Sequence, residues 1–260
     1  MKLSIMKSKK KVIFTVLSIL FWFLAWELLA LLIDISIVLP GPSEVIVSLG
    51  NLVITLSFWK ILLFSFIRII IGFIIGVVLG IALAILCNSS SVAMHLFSPV
   101  MTIIRATPVA SFIMVLWLII GSNLVPSAIT VLMVTPIIWQ NLIDGFSAID
   151  KNLDEVCTSF EISAAKRFKI LIAPTLTRFL IPAIITSAGL GWKSGIAAEI
   201  IAYTSNSIGK EIFLSKSFLE SAEMLAWTLV VIILSLSFEF VISYLGKKVS
   251  NNAAYAEKNN

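Results

Sequence analysis

Residues 62–87 read LLFSFIRIIIGFIIGVVLGIALAILC and decide the fold class. Arg68 is the only charged side chain in this stretch. A helix needs about 20 residues, at about 1.5 Å each, to cross about 30 Å of bilayer hydrocarbon. The stretch is therefore long enough and apolar enough to predict a helix that spans a membrane.

The rest of the chain has the same character. Of its 260 residues 59% are apolar and 13% are charged, and the mean hydropathy is +1.08. These values lie outside the usual range of soluble domains. We therefore predict an all-α fold, a polytopic membrane helix bundle of about six transmembrane helices that forms one domain over residues 1–260. The predicted spans are 12–33, 62–87, 99–120, 124–144, 179–203 and 223–246.

The net charge of +5 indicates topology. Lysine and arginine flank the apolar runs and form no continuous basic face, so nucleic acid is not an expected partner. By the positive-inside rule the regions rich in these residues are cytoplasmic. They are the segment before Val12, the segment 148–178 and the segment after Gly246. Both termini are then expected to be cytoplasmic, in the plasma membrane of a prokaryote, with lipid as the surrounding partner.

Small residues and prolines inside the predicted spans indicate how the helices pack. Gly72, Gly76 and Gly80 are spaced by four, which puts them on one helix face and predicts the close approach of another helix. A hinge is the alternative reading. Pro108 and Pro136 each remove a backbone hydrogen bond within a predicted span. Either a kink or a break that lines a cavity is expected at each of them.

Four ionisable residues well inside the predicted spans are candidates for a role there, namely Arg68, Arg105, Lys193 and Glu199, whereas Glu27 and Glu239 lie nearer the ends of their spans. A charge at the bilayer centre costs about 2.5–3.5 kcal/mol on insertion scales, so such residues usually face protein or water. The three cations would attract an anionic solute along a translocation path. The alternative is structural: long cationic side chains reach the interface, and Glu199 neutralises a cation on a neighbouring helix.

The sequence offers little for catalysis or metal binding. His95 is the only histidine, and Cys87 and Cys157 are far apart without a ligand-like partner nearby, so neither a metal site nor a disulfide is predicted. The chain also lacks the GxxxxGK[ST] phosphate loop. We expect no bound cofactor and no enzymatic activity in this chain.

The long polar stretch inside the chain is 146–178. It is polar overall but carries apolar residues at helical spacing, which predicts an element that docks on another protein. A solvated loop that merely connects two spans is the alternative. The predicted apolar stripe consists of Val156, Phe160, Ala164, Phe168 and Leu171.

Within that stretch, Glu155-Val156-Cys157 is followed after three residues by Glu161, and after nine more by Leu171-Ile172-Ala173-Pro174. This spacing resembles the EAA motif of binding-protein-dependent ABC importer permeases. That motif reads Glu-Ala-Ala, three residues, Gly, nine residues, Ile-x-Leu-Pro. Glu155 and Pro174 match it in identity.

Glu161 stands where the family has the glycine, at a turn between two short helices. Because a glutamate resists positive φ, we expect either that the turn shifts to Ser163 or that this subunit docks less tightly.

The resemblance implies a mechanism that involves several partners. In such permeases the loop forms a coupling helix that binds in a groove of a separate cytoplasmic ATPase, which uses ATP and magnesium. Two permease copies, here an expected homodimer, form the translocation path, and an extracytoplasmic substrate-binding protein delivers the solute. The residues implied to lie at or near the ATPase contact are Glu155, Phe160, Glu161, Ser163, Ala164 and Pro174.

From about Leu39 to Phe240 the chain is similar to the nitrate/sulfonate/taurine branch of these permeases. The matching stretches include Leu39-Pro40-Gly41-Pro42, the run 105–110 and Ala198-Glu199. The branch implies a small anion such as sulfonate, taurine or nitrate. Vitamin precursors and other small organic molecules, which related permeases carry, stay open.

Three alternatives remain at this point. A secondary transporter driven by an ion gradient would show inverted repeats or a carboxylate at the midplane, and neither is evident. A membrane-embedded enzyme would need a convergent set of catalytic side chains. Within the favoured class, Glu161 is also compatible with the weaker half of a heterodimeric permease.

Overall fold

The computed structural model describes the backbone of residues 2–258 and the side chains of residues 14–246 and 248. Over this range the chain is all-helical, which confirms the predicted fold class. The basic side chains before Val12, on which the predicted orientation partly rests, lie outside the described residues. The helices are α1 Lys2–Ile33, α2 Pro42–Val53, α3 Leu56–Ser89, α4 Ser91–Ala106, α5 Val109–Ile120, α6 Val125–Ser147, α7 Lys151–Ser159, α8 Ala164–Arg167, a π-helical turn Phe168–Ile172, α9 Ala173–Ile201, α10 Ile208–Ser217 and α11 Ser221–Lys258.

Five stretches are long and apolar enough to cross a membrane: Phe14–Ile33, Leu56–Ser89, Val125–Ser147, Ala164–Ile201 and Ser221–Gly246. A sixth crossing exists only if α4 and α5 count as one span, because they are bent by 106°. The chain is thus a multi-pass membrane protein, with five or six candidate spans among the described residues.

The third predicted span, 99–120, is wrong as a single straight helix. Thr107 is extended, with ψ 133°, and Pro108 becomes the N-cap of α5. The residue before a proline is driven out of the helical region, which explains the break at this point. Pro136 behaves differently, since α6 runs through it without interruption and buries it.

The chain divides into two compact units, one with the residues up to Lys60 and Glu211–Val230, the other with Ile61–Lys210 and the residues from Val231 onward. That residues 1–260 act as one functional domain stays a prediction. In the first unit the Trp26 indole donates to the Pro40 carbonyl over 3.1 Å, and Ser43 donates to the Glu27 carboxylate over 3.2 Å. These bonds hold the start of α2 against α1.

The second unit is built on α6 and α9, which pack antiparallel along most of their length. Thr130 and Val134 of α6 lie against Gly191 of α9, and at the other end Gly145 lies against Phe179. Apolar side chains from α5 complete this core, around Ile113, Val125, Ile129, Ala198 and Ala202.

The α3 glycines lie against α6. A Cβ atom on Gly72 would come within 2.5 Å of the Ser127 carbonyl oxygen, and one on Gly80 within 2.7 Å of Ile138 Cβ. Gly76 meets Val134 in the same way, at 2.9 Å. Any side chain at these positions would force the two helices apart, so the spacing of four serves helix packing.

Candidate functional site: the docking segment and the outer polar cluster

The segment between α6 and α9 begins with a capped helix. Asp150 is the N-cap of α7, and its carboxylate accepts from the backbone N–H groups of Asn152 and Leu153, at 2.8 and 3.4 Å. Such a cap satisfies donors that the first turn of a helix leaves unpaired. The side chains of Leu153, Val156 and Phe160 are exposed by 52%, 48% and 78%. We call these three residues the docking face.

The helix α7 ends in a turn centred on Glu161. The Glu161 N–H donates to the Thr158 carbonyl and the Ile162 N–H donates to the Cys157 carbonyl, both over 3.0 Å. This is the Schellman pattern, which places a left-handed residue just after the helix. Glu161 is that residue, with φ 51°.

The expected shift of the turn to Ser163 is therefore wrong, because Ser163 has φ −57° and is the N-cap of α8. Glutamate occupies the position that glycine holds in the motif. An L residue in the left-handed region costs about 1–2 kcal/mol, and the two Schellman hydrogen bonds offset part of that cost.

An ion pair joins the two helices on either side of this turn. Arg167 Nε donates to Asp154 Oδ1 over 2.6 Å, and a second guanidinium nitrogen contacts the same carboxylate. This pair joins α7 to α8 and was not identified from the sequence. Its signal there was weak: two opposite charges on either side of a turn whose position was uncertain.

The predicted loop 146–178 ends earlier than expected, at Ser163. From Ala164 the chain is helical, and α8, the π turn and α9 run on as one stretch to Ile201. The Ala173 N–H reaches the Phe168 carbonyl, a π-type bond that widens the helix just before Pro174. The widened turn lets a residue without an N–H enter the helix, where Pro174 is half-buried.

The turn at Glu161 also divides the predicted apolar stripe. Val156 and Phe160 lie on α7, whereas Phe168 and Leu171 lie beyond the turn in the π-helical segment. Phe168 is exposed and Leu171 is buried. One continuous helix face is therefore not formed. Of the other motif residues, Glu155, Glu161, Ser163 and Ala164 are exposed.

Two of the four charges predicted inside the spans meet. Glu199 is fully buried, and its Oε1 lies 3.7 Å from Arg68 Nη1. Its Oε2 accepts from the Ser65 hydroxyl at 2.8 Å and from the Gly209 N–H at 3.2 Å. The Ser65 hydroxyl in turn accepts from the Ile208 N–H at 2.9 Å. Glu199 thus fixes the start of α10 as well as neutralising Arg68.

Arg68 holds the loop 202–207, which joins α9 to α10. Its Nη2 donates to the Ser205 carbonyl at 2.8 Å, and its Nη1 donates to the Asn206 carbonyl at 3.1 Å. The turn before α6 holds the same loop, because Thr204 donates to the Ser122 carbonyl at 2.9 Å and Ser205 donates to Asn123 Oδ1 at 2.6 Å. We call Ser65, Arg68, Glu199 and the loop 202–207 the outer polar cluster, from its predicted side of the membrane.

Arg105 and Lys193 do not join this cluster. Both side chains are exposed, Arg105 in the last turn of α4 before the break and Lys193 in α9. Next to Lys193, Trp192 points inward and donates to the Val231 carbonyl over 3.3 Å. The exposed stripe of α9 runs along Pro182, Thr186, Leu190 and Lys193.

Several long apolar helices, one pair of them sharply bent, define a multi-pass membrane protein, and two of these helices are joined by a polar helical hairpin that consists of α7, the turn at Glu161 and α8. Residues 76–251 match the model of a family described as binding-protein-dependent transport system inner membrane component. The match covers more than half of the chain, so the chain belongs to this family. It is therefore a membrane permease component of a transport system, and the predicted permease identity is confirmed at this level.

The fold is also found in a solved structure. A chain from a structure of inward-facing conformations of the MetNI methionine ABC transporter is similar with a TM-score of 0.53 and 16% sequence identity. The similarity covers 75% of this chain and 93% of that chain. At this identity it establishes the fold alone. No curated protein sequence matches the chain.

Proposed function

We propose that the chain is the permease subunit of an ABC importer and that a separate cytoplasmic ATPase binds the docking face on α7. The observation that carries this proposal is the exposure of Leu153, Val156 and Phe160 on one side of a helix that is otherwise polar. Apolar side chains spaced by three and four residues, without cover, are typical of a helix that binds in a groove. A solvated connection is not expected to carry a patch of exposed apolar side chains, one of them a phenylalanine that is 78% exposed.

The stiffness of the segment supports the same reading. The Asp150 cap, the Schellman turn and the Asp154–Arg167 pair fix α7 relative to α8. A preorganised element loses less conformational entropy on binding, and it transmits force better than a flexible loop. ATP and magnesium would be bound by the partner.

We further propose that two copies of the chain form the solute path, along the exposed stripe of α9. A lysine exposed to lipid near the middle of a span is unfavourable by about 2.5–3.5 kcal/mol, so Lys193 needs water or a second protein surface. Arg105 adds a second exposed cation. Both charges favour a small anionic solute such as a sulfonate, taurine or nitrate, delivered by an extracytoplasmic binding protein. A heterodimer with a second permease is the alternative assembly.

The proposal is tested by purification of the tagged chain from native membranes, with mass spectrometry of the proteins that accompany it. Phe160→Asp and Glu155→Arg change the proposed contact, whereas Glu44→Arg is the matched charge reversal on the exposed face of α2. We expect a P-loop ATPase with the parent chain and with Glu44→Arg, and a loss of at least about tenfold with Phe160→Asp, equivalent to about 1.4 kcal/mol. Recovery of other membrane complexes without any ATPase would favour a transporter driven by an ion gradient.

A further inference from the structure

A cavity of about 340 Å³ lies at the base of the polar helical hairpin, within the second unit. Asn88 and Phe146, near the ends of α3 and α6, line one side of it. The hairpin lines the other side, with Lys151, Asp154 and Arg167. Both Asn88 and Lys151 are exposed, so the cavity opens to the surface. Its volume is in the range of small-molecule sites, and its lining includes no residue of the docking face.

The cavity offers several hydrogen-bond donors that the chain itself does not use. Lys151 forms no ion pair with any described residue. Arg167 binds the Asp154 carboxylate through Nε and Nη2, which leaves Nη1 without a partner in the described part of the chain. A guanidinium has five N–H donors, so this pairing does not exhaust it. With one carboxylate against two cations, the lining carries a net positive charge.

This set of donors suits a phosphate group. Lysine and arginine bind phosphate oxygens through charge-assisted hydrogen bonds. The carbonyl ends of α3 and α6 lie at the same cavity and oppose an anion, so the attraction has to come from Lys151 and Arg167. The lining also contains three apolar side chains, those of Phe146, Ile149 and Ile172. They suit the glycerol and the first acyl carbons of a lipid, which a free phosphate lacks.

The position of the cavity favours a lipid over a soluble ligand. It lies where two candidate spans end, α3 at Ser89 and α6 at Ser147, and therefore at the predicted boundary between hydrocarbon and water. The distribution of lysine and arginine predicts that this side is cytoplasmic. The cytoplasmic leaflet carries anionic lipids, and basic pockets between spans on that side bind their headgroups.

We propose that this cavity binds the headgroup of an anionic phospholipid, with Lys151 and Arg167 Nη1 on the phosphate and the apolar side chains against the glycerol. A lipid in this place ties the hairpin to the ends of α3 and α6. The inference goes beyond the proposed function, because it needs neither an ATPase nor a solute.

Native mass spectrometry of the full chain, purified in detergent, tests the proposal with added phosphatidylglycerol or phosphatidylcholine. Both lipids contain a phosphodiester, but only the first has a net negative charge. We expect the phosphatidylglycerol adduct of the parent chain to exceed the phosphatidylcholine adduct at least about fivefold. Lys151→Gln should lower the phosphatidylglycerol adduct several-fold. Lys166→Gln is the matched control, because Lys166 is an exposed lysine of the same hairpin that does not line the cavity, and it should bind as the parent does.

A second variant tests the cavity by volume instead of charge. Ser147 is exposed and lines the cavity, so Ser147→Trp fills the space, keeps every charge and should leave the thermal midpoint unchanged. It should also lower the phosphatidylglycerol adduct several-fold. Undiminished binding by either this variant or Lys151→Gln, or equal binding of the two lipids by the parent, would overturn the proposal.

A third arm separates a lipid from a free phosphate. Inorganic phosphate is added to the parent chain at the same concentration as phosphatidylglycerol. We expect the lipid adduct to persist, because the apolar side chains contribute to its binding. Displacement of the lipid would show that the cavity recognises phosphate alone, and the assignment to a lipid would then be wrong.

Discussion

Arg167 and Asp154 form an ion pair across the turn at Glu161, with Nε and Oδ1 2.6 Å apart, and thereby set the angle between α7 and α8. Both side chains are about one-third exposed. Solvent screens such a pair, so its contribution to folding stability is about 0–1 kcal/mol. Under the proposed function, we expect its main effect to be on the direction in which α7 presents the docking face.

Arg167→Ala should therefore leave the thermal midpoint almost unchanged and reduce the amount of ATPase recovered with the chain several-fold. The exchanged pair Asp154→Arg with Arg167→Asp should restore much of the recovery, because the geometry is rebuilt with reversed charges. The measurement is quantitative pull-down of all three variants and the parent. Equal recovery with Arg167→Ala would show that the pair does not orient α7.

Glu161→Gly should stabilise the hairpin by about 1 kcal/mol, since glycine adopts positive φ without a Cβ penalty. We expect a higher thermal midpoint and stronger ATPase recovery. Glu161→Ala is the control, because it removes the same charge but keeps the Cβ atom. If alanine and glycine give the same gain, the carboxylate and not the backbone is responsible.

Gly80→Val should destabilise the second unit by about 1–3 kcal/mol, because its Cβ would lie 2.7 Å from Ile138 Cβ. Gly50→Ala is the matched control in α2, where an added Cβ meets nothing within 4 Å. That change should be neutral or stabilise the helix by about 0.5–1 kcal/mol. Detergent-solubilised thermal unfolding measures both, and similar losses at the two glycines would contradict the packing role.

Lys193→Cys should form a disulfide between two copies of the chain if the exposed stripe of α9 faces a second permease. The background carries alanine at Cys87 and Cys157, and Ile74→Cys, on an exposed part of α3, is the control. A cross-linked dimer with Lys193→Cys alone is the expected result on a non-reducing gel. If neither Lys193→Cys nor the Ile74→Cys control gives a cross-linked dimer, the result would favour a heterodimer.

Much of the fold was predictable from local patterns. The apolar runs located the spans, and the spacing of Gly72, Gly76 and Gly80 indicated a packed face, because both signals depend on residues close in sequence. The different fates of Pro108 and Pro136 were not predictable. Pro136 lies in a helix that packs against α3, α5 and α9, and this tertiary packing keeps α6 helical despite the missing hydrogen bond.

The site was predictable only in part. The spacing of Glu155 and Pro174 marked the segment that we propose as the docking element, and its docking role stays a prediction. The left-handed backbone of Glu161 was not expected, because a glutamate resists positive φ. The Arg68–Glu199 pair joins residues 131 positions apart in the chain, so no periodicity within one helix could reveal it. Asp154 and Arg167 were missed for the related reason that the turn between them was placed too late.

The unbroken helical stretch Ala164–Ile201 carries a mechanical consequence. Its 38 residues, at about 1.5 Å each, give a rod of about 57 Å. One end emerges directly from the hairpin that bears the docking face, and the other ends two residues beyond Glu199. A tilt imposed at Ala164 would therefore be carried along one helical stretch toward Glu199, with the π-helical turn Phe168–Ile172 and Pro182 as the points at which it can bend.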